Sequence, residues 1–120
     1  MKREEMIRLA EVYLNDGLVR QDCEAVRAVL APGCWRLEQG RNTGKSGAEI
    51  ADAFKMTVFD MITGVHNARW IVERDQAVVF YELELLDGKQ PAVLIAERFR
   101  VADGRIHEIE ALFHAQQTES

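Results

Sequence analysis

The sequence predicts an α+β domain, with helices first and an antiparallel sheet after them. Three observations carry this. Apolar residues recur at helical spacing through the first half, the period switches to two at Val65 and stays there, and short turn pairs interrupt the second half. Those pairs are Arg74-Asp75, Asp87-Gly88 and Asp103-Gly104, and connections so short join only antiparallel neighbours. A chain of 120 residues forms one domain, residues 1–120, with a real core and no need of disulfide staples.

Taken in order, residues 3 to about 18 make an amphipathic helix. Met6, Leu9, Ala10, Tyr13 and Gly17 form its inward stripe, and Ile7, Leu14 and Leu18 widen it. Tyr13 therefore points into the domain, where its hydroxyl needs a partner. Asp22 caps a second helix, Cys23 to Leu30, which Pro32-Gly33 stops. Cys34 to Gln39 reads as a short strand with Trp35 and Leu37 on one face and Arg36 and Glu38 on the other. After a polar loop, Gly40 to Lys45, the string Ser46-Gly47-Ala48-Glu49 is a capping box that opens a third helix. Ile50, Ala53, Phe54, Thr57 and Met61 are its expected inward stripe, and Gly64 its expected end. Strands are expected at 65–73, 76–86, 91–101 and 105–113, and a frayed tail from Ala115.

Composition narrows the function. Hydrophobic residues make up 48% and charged residues 29%, an ordinary globular balance. A net charge of −5 and a pI near 5.2, without a basic stripe, argue against nucleic acid. No stretch approaches the roughly 20 apolar residues of a membrane span, and no apolar run marks a signal peptide. Cys23 and Cys34, not in a CxxC pair, are read as reduced buried thiols, so a cytoplasmic protein is expected.

One residue breaks the strand pattern. Val93, Ile95, Glu97, Phe99 and Val101 share a face that should be inward, while Arg98 and Arg100 face out. A carboxylate on an oily face must be paired, wetted by a cavity, or protonated. The plain reading of Glu97 is a buried ion pair with an arginine, and that of Glu38 is a surface pair with Arg36. Gly44-Lys45-Ser46 is a helix start; a phosphate loop needs four residues between its glycines, and Gly40 to Gly44 leaves three. None of His66, His107 and His114 has a metal spacing. His66 shares parity with Trp70, and His107 with Ala111 and Phe113, so both are expected to face the interior. They suit a core or pocket rim, and His66 is also a possible general base. Glu82, Glu84, Glu108 and Glu110 read as a solvated face.

The order of elements resembles the NTF2-like superfamily, in its ketosteroid isomerase and SnoaL-like branches. The resemblance rests on helix 1 with Tyr13, the Asp22–Ala31 helix, Ser46-Gly47, Glu97-Arg98-Phe99-Arg100 and Ala111-Leu112-Phe113. It implies a cone: three N-terminal helices packed on a curved, mostly antiparallel sheet around a pocket. It further implies a cofactor-free, metal-free acid–base enzyme, an isomerase, cyclase or dehydratase, acting on a small apolar carbonyl-bearing metabolite. Glu38 falls at the position of the proton-shuttling base, Glu97 at that of a protonated acid, and Tyr13 at that of the phenol facing the oxyanion. Leu14, Phe54, Phe59, His66, Trp70, Tyr81, Phe99, His107, Ala111 and Phe113 are the expected lining. Three departures stand out: both acids are Glu rather than Asp, Lys55 replaces a second tyrosine, and Tyr13 aligns only if one residue is inserted between it and Asp22. The alternative is a non-catalytic module of the same fold that binds a ligand or dimerises through its outer sheet face. There Arg98, Arg100, Glu82 and Glu84 would pair across a two-fold axis, and a homodimer is expected. In such a module the cone would be filled and Glu97 locked to an arginine.

Overall fold

The first apolar stripe folds as two kinds of helix. In the computed structural model, which describes residues 1–86 and 93–115, α1 (Arg3–Glu11) runs without a break into a π-helical segment, Val12–Val19. A π turn holds one more residue than an α turn, and such segments absorb single-residue insertions. The π segment covers the stretch between Tyr13 and Val19, where the resemblance requires an inserted residue. Tyr13, Leu14, Gly17 and Leu18 stay on the buried side. At Gly17 the backbone presses so close to Val26 and Phe54 that a Cβ would sit 3.0 Å from Val26 Cγ2.

Asp22 caps α2 (Cys23–Val29), its carboxylate accepting from the Ala25 N–H at 3.1 Å. The chain then extends from Leu30, four residues before the strand start expected at Cys34, as β1 (Leu30–Glu38), with an irregularity between Leu30 and Trp35 in its pairing. A short β2 (Arg41–Asn42) folds back on its end. The expected capping box forms: Ser46 Oγ accepts from the Glu49 N–H, and the Glu49 carboxylate accepts from the Ser46 N–H. The helix it opens, α3, is shorter than its apolar spacing suggests. It covers only Gly47–Asp52, and two 3₁₀ turns follow at Ala53–Lys55 and Thr57–Met61. The 3₁₀ turns wind more tightly, so Thr57 and Met61 rotate outward and are exposed, while Phe54 is buried. Gly64 lies inside the next strand rather than ending the helix.

The remainder is a meander of β3 (Ile62–Glu73), β4 (Gln76–Leu85), β5 (Val93–Ala102) and β6 (Arg105–Ala115). With β1 and β2 it makes one curved, open sheet in the order β2-β1-β6-β5-β4-β3, antiparallel except where β1 runs parallel to β6. The Asp87-Gly88 turn and the tail from residue 116 lie outside the described residues. The inward face carries Ala77, Val79, Phe99, Val101 and Ile109, all 3% exposed or less, under the helices. On the outward face Arg98 reaches Glu108 and Glu110, and Arg100 reaches Glu108, all within one chain. Among the described residues no helix is long and apolar enough to cross a membrane.

Two β-bulges overturn strand parity. Between His66 and Arg69 the β3–β4 register slips, with Asn67 at φ +56°, so Trp70 keeps its inward side while His66 swings out. There His66 Nε2 meets Glu84 Oε2 at 3.0 Å on the exposed face. A second slip, at Arg100/Val101, pairs Val101 with Ile106 and leaves His107 as the extra residue. Ile106 takes the core position, fully buried, and the His107 ring turns to the Ala102 carbonyl.

Candidate active site

Between the sheet and the helices lies an open cavity of about 460 Å³. Its polar end is built by four elements converging on Arg36. The guanidinium sits mid-strand on β1, its side chain 16% exposed. Its Nη1 donates to Glu97 Oε2 at 2.8 Å and to the Tyr13 hydroxyl at 2.6 Å, and its Nε donates to Glu38 Oε1 at 2.8 Å. From β4, the Tyr81 hydroxyl donates to the other Glu97 oxygen at 2.6 Å.

Local structure explains each placement. Glu97 faces inward because alternation along β5 demands it, and it is 2% exposed. Glu38 ends β1, which the next residue clamps to β6. Gln39, at φ +50°, donates its backbone N–H to the Ala111 carbonyl, and its amide side chain makes two hydrogen bonds to the Phe113 backbone. Tyr13 is held edge-on by Phe54 at 5.1 Å and Phe99 at 5.5 Å between ring centroids.

The expectation that Glu97 is a protonated donor meets a different arrangement. Arginine can only donate, and Tyr81 donates as well, so each Glu97 oxygen accepts a hydrogen bond. That is how a carboxylate is held, with the counter-charge of Arg36 beside it. Arg36 keeps its own proton tightly. Burial works against the charge, but Tyr13, Glu97 and Glu38 together raise its pKa above the ordinary arginine value. Burial also pushes the Cys34 thiol up to about 11, with Arg36 opposing.

The Tyr13 oxygen accepts from Arg36, and no described residue accepts its O–H, which is thus directed away from the guanidinium. Arg36 Nη2 has no partner among the described residues. It is not sealed from solvent either, since Thr43 Oγ1, away from the cavity, is the buried side-chain atom left unpartnered among the described residues. Glu38 Oε2 is likewise unpartnered, on a side chain 46% exposed. The polar end therefore offers two donors and one acceptor.

Both tyrosines of the chain hold their protons well above the ordinary value of 10.0. Burial is the main cause at Tyr13, and burial followed by the Glu97 charge at Tyr81. A raised tyrosine pKa means the native state binds more protons than the unfolded chain above about pH 10, so stability present below that pH is lost as pH rises through the folded values. In alkaline titration the tyrosinate absorbance should stay absent through pH 10 and appear together with loss of the native circular dichroism. A native protein ionising one tyrosine near 10 would refute this.

Of the residues expected at the site, Tyr13, Glu38, Glu97, Phe54, Phe59, Tyr81, Ala111 and Phe113 line the cavity. Leu14, Trp70, Phe99, His66 and His107 do not. Leu14 and Phe99 are core, at 2% and 0% exposure, Trp70 packs against that core, and the two histidines were displaced by the bulges. Arg36 was legible only as a neighbour of Glu38; that it turns inward, and takes both carboxylates, was not. Lys45, Met56 and Val58 also line the cavity, and nothing in the sequence marked them for it.

A helical layer on an open, curved sheet with a cavity between them is the NTF2-like fold, and solved structures bear this out. An NTF2-like protein of Cytophaga hutchinsonii is 16% identical at a TM-score of 0.67, covering 91% of this chain and 89% of its own. A protein assigned as a SnoaL-like polyketide cyclase from Jannaschia sp. CCS1 is 21% identical at 0.71, covering 92% and 85%. A LEH-like epoxide hydrolase of M. tuberculosis is 22% identical at 0.71, covering 92% and 84%. No curated protein matches the sequence. Residues 1–113 match the family described as a domain of unknown function, DUF8021, and the chain belongs to that family.

Proposed function

We propose that the protein is an acid–base enzyme that moves a proton on a small apolar carbonyl compound without a cofactor. The observation that carries this is Arg36, which ties Tyr13, Glu38 and Glu97 together on the wall of an open, mostly apolar cavity. Glu38 acts as the base. Its Oε1 is held by Arg36 and its Oε2 takes the proton from the carbon next to the carbonyl. As negative charge grows on the carbonyl oxygen, the Tyr13 O–H and Arg36 Nη2 donate to it. Glu38 then returns its proton to the same carbon or to a conjugated one. Glu97 is not the acid in this scheme. It positions Arg36, with Tyr81 holding its second oxygen.

This reading departs from a pure binding module on one point. Glu97 is locked to an arginine, as a module would have it, but the cone is not filled. Exposure of Glu38 also favours a second reaction at the same groups. A water reaching it is deprotonated and opens an epoxide whose oxygen takes the Tyr13 proton, the activity named for the M. tuberculosis neighbour.

The test is exchange in D₂O with apolar enolisable ketones, followed by NMR. Wild type should catalyse loss of the α-proton signal, and Tyr13→Phe should slow it by about 10²-fold, the usual effect of removing one oxyanion donor. An aryl epoxide run in parallel separates the second reaction. Neither exchange nor epoxide opening by the wild type would leave the binding module.

A further inference from the structure

We propose that Gln39 is a positioning residue, its side-chain amide fixing the base Glu38 and the cavity wall at Phe113 relative to one another. The proposal rests on the proton-transfer reading for the role of Glu38; the contacts themselves stand without it.

The parallel pairing of β1 with β6 ends at Glu38 and Ala111. Beyond that point β1 has turned into β2, and the Phe113 N–H and carbonyl would have no strand beside them. Gln39 supplies the missing partner. Its Nε2 donates to the Phe113 carbonyl at 2.8 Å and its Oε1 accepts from the Phe113 N–H at 3.2 Å, so the carboxamide takes the place of one peptide unit of a strand. Phe113 lines the cavity, as does Ile95, its partner on β5. The residue next to the base is thereby tied to the sheet wall of the cavity.

The local backbone favours other residues at position 39. Glu38 and Arg41 pair across a two-residue turn, Gln39-Gly40, with φ of +50° and +81°. Asn or Gly enters such a turn most readily, and Gln tolerates positive φ less well. An Asn amide, however, ends one methylene short of Phe113. Turn chemistry and the contact to β6 therefore ask for different residues, and the chain carries the one that makes the contact. Glu38 needs the support: its carboxylate is held by Arg36 Nε alone, its side chain is 46% exposed, and β2 beside it is two exposed residues long. Misplacing a reacting group by about 1 Å costs on the order of 10²-fold in rate.

The test compares wild type with Gln39→Gly and Gln39→Asn, both suited to the turn and both lacking the reach to Phe113. The backbone N–H at position 39 can keep its bond to the Ala111 carbonyl in each. The probe is benzylacetone, an apolar enolisable ketone, in D₂O. Both variants should lower kcat for α-proton exchange about tenfold or more, while the melting temperature stays within about 2 °C of wild type. In a Glu38→Gln background the same changes should cost less than about twofold further, because they act through the base. Undiminished turnover in both variants, or a tenfold loss that persists without the Glu38 carboxylate, would overturn the proposal and leave the reaction standing. The Phe113 amide gives a readout independent of turnover, since its hydrogen exchange should be slow in wild type and fast in both variants. If wild type exchanges no ketone proton, the proton-transfer reading fails and this protection alone decides the tie between Gln39 and Phe113. Its loss in both variants upholds the tie, and equal protection in all three proteins removes it.

Discussion

Glu38→Gln should lower the rate of α-proton exchange by about 10²–10⁴-fold, the contribution of a positioned general base. The amide has the same shape, and its oxygen can still accept from Arg36 Nε, so the cluster keeps its geometry while losing the lone pair that takes the proton. Because the side chain is 46% exposed and its ion pair lies at the rim, stability should stay within about 0.5 kcal/mol of wild type. The loss should fall on kcat with KM nearly unchanged, because the carboxylate acts on the reacting carbon and not on the bulk of the ligand. Glu38→Asp withdraws the head group by one methylene and should lie between the two. A Glu38→Gln protein that exchanges at the wild-type rate would move the base elsewhere, and with it the direction of the whole reaction.

How much of this was legible depends on what kind of signal each residue left. Glu97 stood out because five alternating positions of β5 fix its side and none of the others is polar. Arg36 left no such mark. Both faces of β1 carry large side chains, Trp35 and Leu37 against Arg36 and Glu38, so alternation separates the two sets without saying which turns inward. That choice is made by the parallel pairing with β6, a contact between residues far apart in the chain. The histidines failed for a different reason. Parity holds only along an unbroken ladder, and one inserted residue reverses every side chain beyond it. Asn67 at positive φ was the available hint of a bulge, since Asn tolerates that region, but Asn does so in many loops. In helix 3 the capping box announced the start, whereas 3₁₀ turns continued the apolar spacing past the true end at Asp52.

Removing the Arg36 guanidinium should cost more stability than any other single change at the site. Arg36→Met leaves Glu97 as a 2%-exposed carboxylate with only Tyr81 beside it, and breaking a buried pair from one side typically costs about 3–5 kcal/mol. At about 4 °C per kcal/mol for a domain of this size, the melting temperature should drop by about 12–20 °C. Glu97→Met should be costly too, since it strands Arg36 with a single, half-exposed acid partner and takes the acceptor from Tyr81. The double variant removes both charges, and its loss should be well under the sum of the two single losses, by about 2–3 kcal/mol in a urea-unfolding cycle. It will not return fully to wild type, because Tyr13 and Tyr81 each lose a partner in the cavity wall. Additive losses would mean that Arg36 and Glu97 do not interact in solution. The guanidinium would then lose its one buried anchor and keep only the half-exposed Glu38 and the Tyr13 oxygen, too little to fix its Nη2 as the second donor to the carbonyl oxygen.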